Sequence, residues 1–141
     1  MELPERIATD RLRLILVTPA DAATLVTAGD TWGPRHVVLG HQAVGSIGCF
    51  GPPQPPDSGD EPAETEVGYG LVPEVRGAGI ATEALRALVA EADLVGVRLR
   101  ASVEPGNVAS LKVLARGGIS ELRGSNEDGE LVMVRPLRPA P

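Results

Sequence analysis

The residues with the clearest chemical potential lie in one stretch, 66–83, which reads EVGYGLVPEVRGAGIATE. A strand-like alternation ends at Pro73, and a turn containing Gly77 and Gly79 leads directly into an amphipathic helix. Glycines let a backbone approach a ligand without Cβ clashes. The first N–H groups of a helix lack intrahelical partners, and the helix dipole favours an anion beside them. The stretch therefore predicts a phosphate-binding turn.

Two common phosphate motifs do not fit this turn. A dinucleotide fingerprint needs a third glycine at position 82, which is Thr82, and no acidic residue follows at the end of a suitable second strand. A nucleotide-binding P-loop needs Gly-Lys-Ser/Thr, which does not occur in the sequence. Both readings are disfavoured.

The elements that must position this turn follow from hydrophobic periodicity and from turn residues. The pattern favours a long exposed loop at 51–63, which holds five prolines in its thirteen residues. It predicts an α+β domain with a mixed, mostly antiparallel sheet of six to seven strands flanked by three helices. We place strands at 11–17, 36–39, 44–50, 67–72, 97–103, 119–124 and 131–135, and helices at 18–27, 80–93 and 108–115.

Composition limits the classes of function. The chain has 141 residues with 43% hydrophobic and 23% charged content, which predicts one soluble domain over 1–141. A net charge of −6 and 2% aromatic residues argue against a nucleic-acid partner. One cysteine, Cys49, excludes an internal disulfide, and no apolar run reaches membrane-spanning length. We therefore expect a cytoplasmic protein with no membrane partner.

Two motifs in order resemble one enzyme family. Arg76-Gly77-Ala78-Gly79-Ile80-Ala81 matches the R/Q-x-x-G-x-G/A signature of the GNAT (Gcn5-related N-acetyltransferase) superfamily. Further on, Asn107 and Ser110 are similar to the N-x-x-S helix start of its ribosomal-protein N-terminal acetyltransferase (RimJ/RimL-like) subgroup. Residues 116–119 stand where that subgroup has K-x-G-F. The resemblance covers 64–135 well.

The resemblance implies that acetyl-CoA is the co-substrate and that the turn binds the coenzyme A pyrophosphate. Backbone N–H groups from Val75 through Ala81 would converge on this anion, and the pantetheine arm would lie along 67–72. The cofactor-binding residues implied are Leu71, Val72, Arg76, Gly77, Ala78, Gly79, Ile80, Ala81, Thr82, Asn107 and Ser110.

The same resemblance suggests two catalytic residues. Glu66, on the strand just before the turn, resembles in position the catalytic glutamate of histone-acetylating members and is the candidate general base; the alternative is a solvated glutamate at a strand end. Ser110 is the candidate proton donor to the departing thiolate, because the place where many members have a tyrosine is Leu114. Ser110 is equally compatible with a local helix bond. Asn107 fits a helix N-cap as well as a cofactor contact.

The acceptor remains open at this level. The resemblance implies direct acetyl transfer to a primary amine on a small molecule, peptide or protein, and the alternative is a non-catalytic acyl-CoA-binding or interaction module. Only 18–34 fills a region that is longer in relatives, so the pocket is reduced, or completed by the 51–63 loop or by a second subunit in a homodimer. Trp32 and Arg35 fall near it. His36 and His41 lack metal-site spacing, and no metal is expected.

Overall fold

A computed structural model describes residues 2–17, 30–57 and 59–136 of the chain. Eight strands form one sheet in the order β1-β2-β3-β4-β5-β6-β8-β7. They are β1 (Arg6–Ala8), β2 (Leu12–Leu16), β3 (Arg35–Leu39), β4 (Gln42–Cys49), β5 (Ala63–Leu71), β6 (Val97–Val103), β7 (Glu121–Ser125) and β8 (Leu131–Val134). All neighbouring pairs are antiparallel except β5 and β6. The α+β class and the mostly antiparallel sheet are confirmed.

The predicted strand count is wrong by at least one, because β1 was not foreseen. This strand has only three residues, of which Ile7 alone is buried, so it is too short to show an alternating pattern. It pairs Arg6 with Ile15 and extends the edge of β2.

Two α-helices, α1 (Ile80–Leu94) and α2 (Val108–Gly117), follow the predicted periodicity, and a one-turn 3₁₀ helix (Pro73–Val75) precedes α1. Six residues of α1 are buried: Ile80, Ala84, Leu85, Leu88, Val89 and Ala92. α1 and α2 pack closely because Gly117 has no side chain, and a Cβ there would lie 2.4 Å from Leu85 Cδ2. The third predicted helix, at 18–27, lies outside the described residues.

The core lies between this helix pair and the sheet. Alternate residues of β6 are buried (Val97, Leu99, Ala101 and Val103), as are Leu12 and Leu14 of β2. The hairpin between β3 and β4 is tighter than predicted, because β4 already starts at Gln42 and only Gly40 and His41 form the turn. Gly40 has φ 63° there. Neither described helix is long and apolar enough to span a bilayer.

Candidate active site

The glycine turn places the first turn of α1 at the end of β5. Gly77 and Gly79 have φ of 84° and 76°, in the left-handed region, and Gly79 is the N-cap residue of α1. The first helical N–H to bond back is that of Glu83, which donates to the Gly79 carbonyl at 3.0 Å. The N–H groups of the preceding residues, Ile80 to Thr82, therefore remain for a ligand. A Cβ at Gly77 would meet no atom within 4 Å, so the turn opens outward.

The row of available N–H groups is shorter than predicted at its beginning. The Val75 N–H donates to the Val72 carbonyl and the Arg76 N–H to the Pro73 carbonyl, each at 3.2 Å. Pro73 starts a 3₁₀ turn, and the turn uses both donors internally. Arg76 still lines the site, while its Nε donates to the Leu71 carbonyl at 3.2 Å.

A group of hydrogen bonds that the sequence did not reveal holds the glycine turn in place. The Glu83 carboxylate accepts from the Arg11 N–H at 2.9 Å, from Arg11 Nε at 2.6 Å and from the Thr9 hydroxyl. Arg11 also donates to the Ala78 carbonyl at 3.0 Å. Burial alone would raise the pKa of Glu83, but the hydrogen bonds from Thr9 and Arg11 outweigh it and lower that pKa. The loop between β1 and β2 thus fixes the start of α1.

Beyond the turn, the sheet opens. β5 pairs with β6 only from Ala63 to Glu66, with Glu66 opposite Arg100. Further along, β6 pairs with β8 on its other side as far as Val103, while β5 continues to Leu71 along β4. The opening leaves one edge of the second half of β5 facing a cavity, which Tyr69, Gly70 and Leu71 line.

This first cavity has a volume of about 480 Å³ and lies between the end of β5, the first turn of α1 and one side of α2. Of the residues predicted to bind the cofactor, most line it: Leu71, Arg76, Gly77, Gly79, Ile80, Ala81, Thr82, Asn107 and Ser110. Val72 and Ala78 do not. Val72 is 40% exposed, and the Ala78 carbonyl is taken by Arg11.

Asn107 and Ser110 meet at the start of α2. Asn107 is the N-cap residue, and its Oδ1 accepts from the Ser110 N–H at 3.1 Å. The capping interpretation of Asn107 is therefore confirmed, and both residues also face the cavity. The bond to Asn107 uses only the backbone N–H of Ser110, and the Ser110 side chain lies near Tyr69.

Tyr69 is a site residue that the sequence interpretation missed. Its hydroxyl is buried without a hydrogen bond of standard geometry among the described residues. Burial raises the pKa of Tyr69, and the nearby Ser110 side chain opposes part of that rise. The signal available was its place in the alternation of β5, on the face opposite to Glu66.

A second cavity, of about 790 Å³, shares two lining residues with the first, Tyr69 and Gly70, and this shared boundary is called the junction below. Ser46 and Gly48 of β4 and Gly68 of β5 line it from one face of the sheet, together with Asp30 and Phe50. Gly51 and Pro52 also line it, so the proline-rich loop contributes to the wall. Two cavities that border each other where β5 has separated from β6 can hold two reactants next to each other.

Glu66 lines neither cavity. Its carboxylate accepts from the Ser102 hydroxyl at 3.1 Å and lies 3.4 Å from Arg100 Nε. Along β5 it shares a face with Gly68 and Gly70, which line the second cavity. Its role as general base stays a prediction.

The burial and hydrogen bonds of the remaining candidate residues indicate structural roles. Trp32 and Arg35 are 3% and 0% exposed and line neither cavity. Burial lowers the pKa of Arg35, whose guanidinium donates to the carbonyls of Thr31 and Glu5. Burial raises the pKa of Cys49 to about 12, so this thiol is not a nucleophile near neutral pH. Within the described residues, no group of His, Cys, Asp and Glu side chains could hold a metal ion.

Comparison with known proteins identifies the family. The acetyltransferase (GNAT) domain family matches residues 27–120, about two thirds of the chain. The chain belongs to this family. No curated protein matches the sequence significantly.

Solved structures share the fold at low sequence identity. A GnaT-family acetyltransferase from Bordetella pertussis is 20% identical with a TM-score of 0.67, over 94% of this chain and 100% of the other. Mycobacterium smegmatis RimJ, solved with CoA-disulfide, is 24% identical with a TM-score of 0.57, over 72% of this chain and 51% of its own. Aminoglycoside acetyltransferase AAC(6')-Ib, solved with coenzyme A and kanamycin, is 20% identical with a TM-score of 0.57, over 72% and 64%.

Family membership settles the chemistry at a coarse level. The protein is an acyl-CoA-dependent N-acetyltransferase, and acetyl-CoA is its co-substrate. The open turn at Gly77 and Gly79, the free N–H groups of α1 and the separated strands fit such a ligand. The likeness to RimJ extends the fold comparison to the subgroup resembled in sequence.

Proposed function

We propose that the protein transfers an acetyl group from acetyl-CoA to a primary amine of a small molecule, peptide or protein. The observation that carries the proposal is the junction of the two cavities at Tyr69 and Gly70. The first cavity suits the co-substrate, and the second then receives the acceptor. We further propose one domain over 1–141 and a cytoplasmic location, supported by the single sheet and the lone, buried cysteine.

The second cavity has features that favour an amine. Asp30 lines it, and its carboxylate accepts the Trp32 N–H through Oδ1 at 2.8 Å, which fixes the orientation of the side chain. The Phe50 ring, 77% exposed, lies beside Gly68 on the same wall. A carboxylate together with an aromatic ring suits an amine that carries an apolar portion. Gly51 and Pro52 supply part of the wall, which supports completion by the loop rather than by a second subunit.

Acetyl-CoA supplies the activated acyl group as a thioester. The turn at 77–82 would hold its pyrophosphate, and the open edge of β5 would hold its arm. Glu66 would take the proton of the amine through a water, from its position on the acceptor face of β5. The hydroxyls of Ser110 and Tyr69, at the junction, would give a proton to the coenzyme A sulfur.

A panel of primary amines with acetyl-CoA tests the proposal, with release of free thiol and the acetylated product measured together. We expect at least one amine to be acetylated well above hydrolysis. Glu66→Gln should lower kcat by roughly 100-fold, the usual scale for loss of a general base. Glu61→Gln is the matched control: Glu61 lies 3.8 Å from Arg98 in the same ion-pair cluster, and its side chain is 61% exposed.

The outcomes separate the candidate roles. Equal activity of Glu66→Gln and Glu61→Gln would assign Glu66 to the ion-pair cluster alone. A folded protein that binds coenzyme A but acetylates no amine in the panel would contradict the proposed acceptor class and favour the binding module.

A further inference from the structure

The peptide unit between Ala78 and Gly79 is held from one side. Arg11 NH1 donates to the Ala78 carbonyl at 3.0 Å. A trans peptide unit is planar, and its C=O and N–H point in opposite directions. Because the Ala78 carbonyl is turned towards Arg11, the Gly79 N–H is turned away from it. Among the described residues this N–H has no acceptor, and Gly79 lines the first cavity whereas Arg11 does not.

The glycine turn does not fix this orientation by itself. Glycine populates positive and negative φ about equally, and Gly79, with φ 76°, can therefore follow a rotation of the peptide unit by half a turn. Such a rotation would exchange the Gly79 N–H for the Ala78 carbonyl oxygen. A row of N–H groups binds an anion, whereas a carbonyl oxygen in that row repels it. The orientation of one peptide unit thus decides how well the turn suits a phosphate.

Arg11 is itself held by Glu83, in the first turn of α1. The Glu83 carboxylate accepts from the Arg11 N–H at 2.9 Å and from Arg11 Nε at 2.6 Å, and it also accepts from the Thr9 hydroxyl. One planar guanidinium group therefore spans Glu83 and the Ala78 carbonyl. A Cβ at Gly79 would lie 3.5 Å from Arg11 NH2, so the guanidinium group lies beside the turn.

We propose that Arg11 and Glu83 are positioning residues for coenzyme A. They hold the Ala78–Gly79 peptide with its N–H towards the cavity before the ligand arrives, so that binding does not have to select this orientation from two. Arg11 acts through the Ala78 carbonyl, and Glu83 acts through Arg11. The inference rests on the proposed binding of the pyrophosphate at 77–82, and it gives the loop between β1 and β2 a role in the affinity for the co-substrate.

Calorimetric titration of the whole protein with coenzyme A tests the inference, because charge and peptide orientation predict opposite effects of Glu83→Gln. Removal of a negative charge beside an anion would by itself tighten binding. The glutamine amide nitrogen cannot accept a hydrogen bond, so the substitution loosens Arg11, and we expect binding about threefold weaker. Arg11→Met should weaken binding about tenfold. Arg13→Met is the matched control: Arg13 is also exposed and donates to a backbone carbonyl, that of Gly40, at 2.8 Å, and its loss should change affinity less than about twofold.

NMR relaxation dispersion of the Gly79 amide nitrogen reports the orientation directly. We expect no exchange in the free wild-type protein, exchange between two states in free Arg11→Met, and its disappearance when coenzyme A saturates that variant. Thermal unfolding of each variant shows that the sample is folded, and Glu83→Gln provides the test if Arg11→Met does not fold.

The outcomes separate this inference from the function beneath it. A folded wild-type protein that does not bind coenzyme A would show that the cofactor site itself is wrong. If the wild-type protein binds coenzyme A and Arg11→Met binds it equally well, only the positioning role is wrong. Tighter binding by Glu83→Gln would show that charge outweighs peptide orientation, and weaker binding by Arg11→Met without exchange at Gly79 would also overturn the inference.

Discussion

At the scale of single residues, the two hydroxyls near the junction differ in how they are held. Ser110 lies at the start of α2, with its N–H bonded to the Asn107 cap. The Tyr69 hydroxyl lies buried without a partner of standard geometry among the described residues. A buried hydroxyl without a hydrogen bond costs folding free energy, so its retention suggests a partner that arrives with substrate.

Tyr69→Phe separates this cost from the function. We expect the free energy of unfolding to stay unchanged or to rise slightly, because the substitution removes an unpaired polar group. We expect kcat to fall at least about tenfold while KM for acetyl-CoA changes less than about threefold, because a proton donor acts in the chemical step. Steady-state kinetics and urea unfolding on the same preparation measure both. Full activity in Tyr69→Phe would leave Ser110 as the donor.

The sequence predicted most of the residues that line the first cavity because each is encoded locally. Glycines at 77 and 79 and Asn107 before a helix are visible within a few positions. Tyr69 and Arg11 were missed because their roles depend on contacts between distant segments, such as Arg11 with Glu83. The prediction that the Val75 N–H is free to bind the anion was wrong for another local reason. Pro73 starts a 3₁₀ turn, in which the Val75 N–H donates to the Val72 carbonyl.

At the scale of elements, the neighbouring strands β4 and β5 contain a pair of opposed glycines whose surroundings differ. Gly48 is the register partner of Gly68. A Cβ at Gly48 would lie 2.6 Å from the Gly33 carbonyl oxygen and from Pro34 Cα, both backbone atoms. A Cβ at Gly68 would lie 2.6 Å from Phe50 Cζ, at the end of an exposed side chain. The backbone atoms beside Gly48 cannot move easily to make room for a Cβ, whereas the Phe50 side chain beside Gly68 can.

Gly48→Ala and Gly68→Ala therefore form a matched pair. We expect Gly48→Ala to lower the free energy of unfolding by about 2 kcal/mol, because overpacking against backbone forces the strands to shift. Gly68→Ala should cost less than about 1 kcal/mol, because the Phe50 ring can turn away. Urea unfolding measures both values. Equal losses would show that strand conformation, and not the backbone contact, decides.

The element boundaries show which parts of the fold are encoded locally. β6 was predicted at its observed limits because its alternation is complete, with four buried positions among seven residues. The point at which β5 separates from β6 could not be predicted from the sequence, because it depends on which strand pairs with each edge of β5 and β6. β8 occupies the other edge of β6, although it follows 28 residues after β6 ends.

At the scale of the whole molecule, a cluster of charges links three strands. The Glu64 carboxylate accepts from Arg98 at 2.9 Å, from Arg100 at 2.8 Å and from Arg123 NH1 at 2.9 Å. Burial alone would raise the pKa of Glu64, but the hydrogen bonds from Arg123, Arg100 and Arg98 lower it to about 2. Because the folded pKa is lower than the ordinary value of 4.5, the ionised carboxylate stabilises the fold above pH 4.5.

Glu64→Gln should therefore show a loss that depends on pH. We expect the wild-type protein to be more stable by about 3 kcal/mol near neutral pH, with the advantage shrinking as pH falls from 4.5 towards 2. Urea unfolding of both proteins at pH 7, 4 and 3 measures the difference. Glu61→Gln, at a largely exposed position, should cost less than about 1 kcal/mol at any pH. A difference for Glu64→Gln that is constant from pH 7 to pH 3 would contradict the assignment.

The short contact between β5 and β6 has a mechanical consequence. Only four residue pairs, from Ala63 with Val97 to Glu66 with Arg100, join the two parts of the sheet. One part has five strands (β1 to β5) and the other has three (β6, β8 and β7). The glycine turn follows β5 of the five-stranded part, and Ser110 lies in the helix that follows β6 of the three-stranded part. The number of paired residues therefore sets how far the two parts of the sheet separate, and one more pair would narrow the opening at which we propose that acetyl transfer takes place.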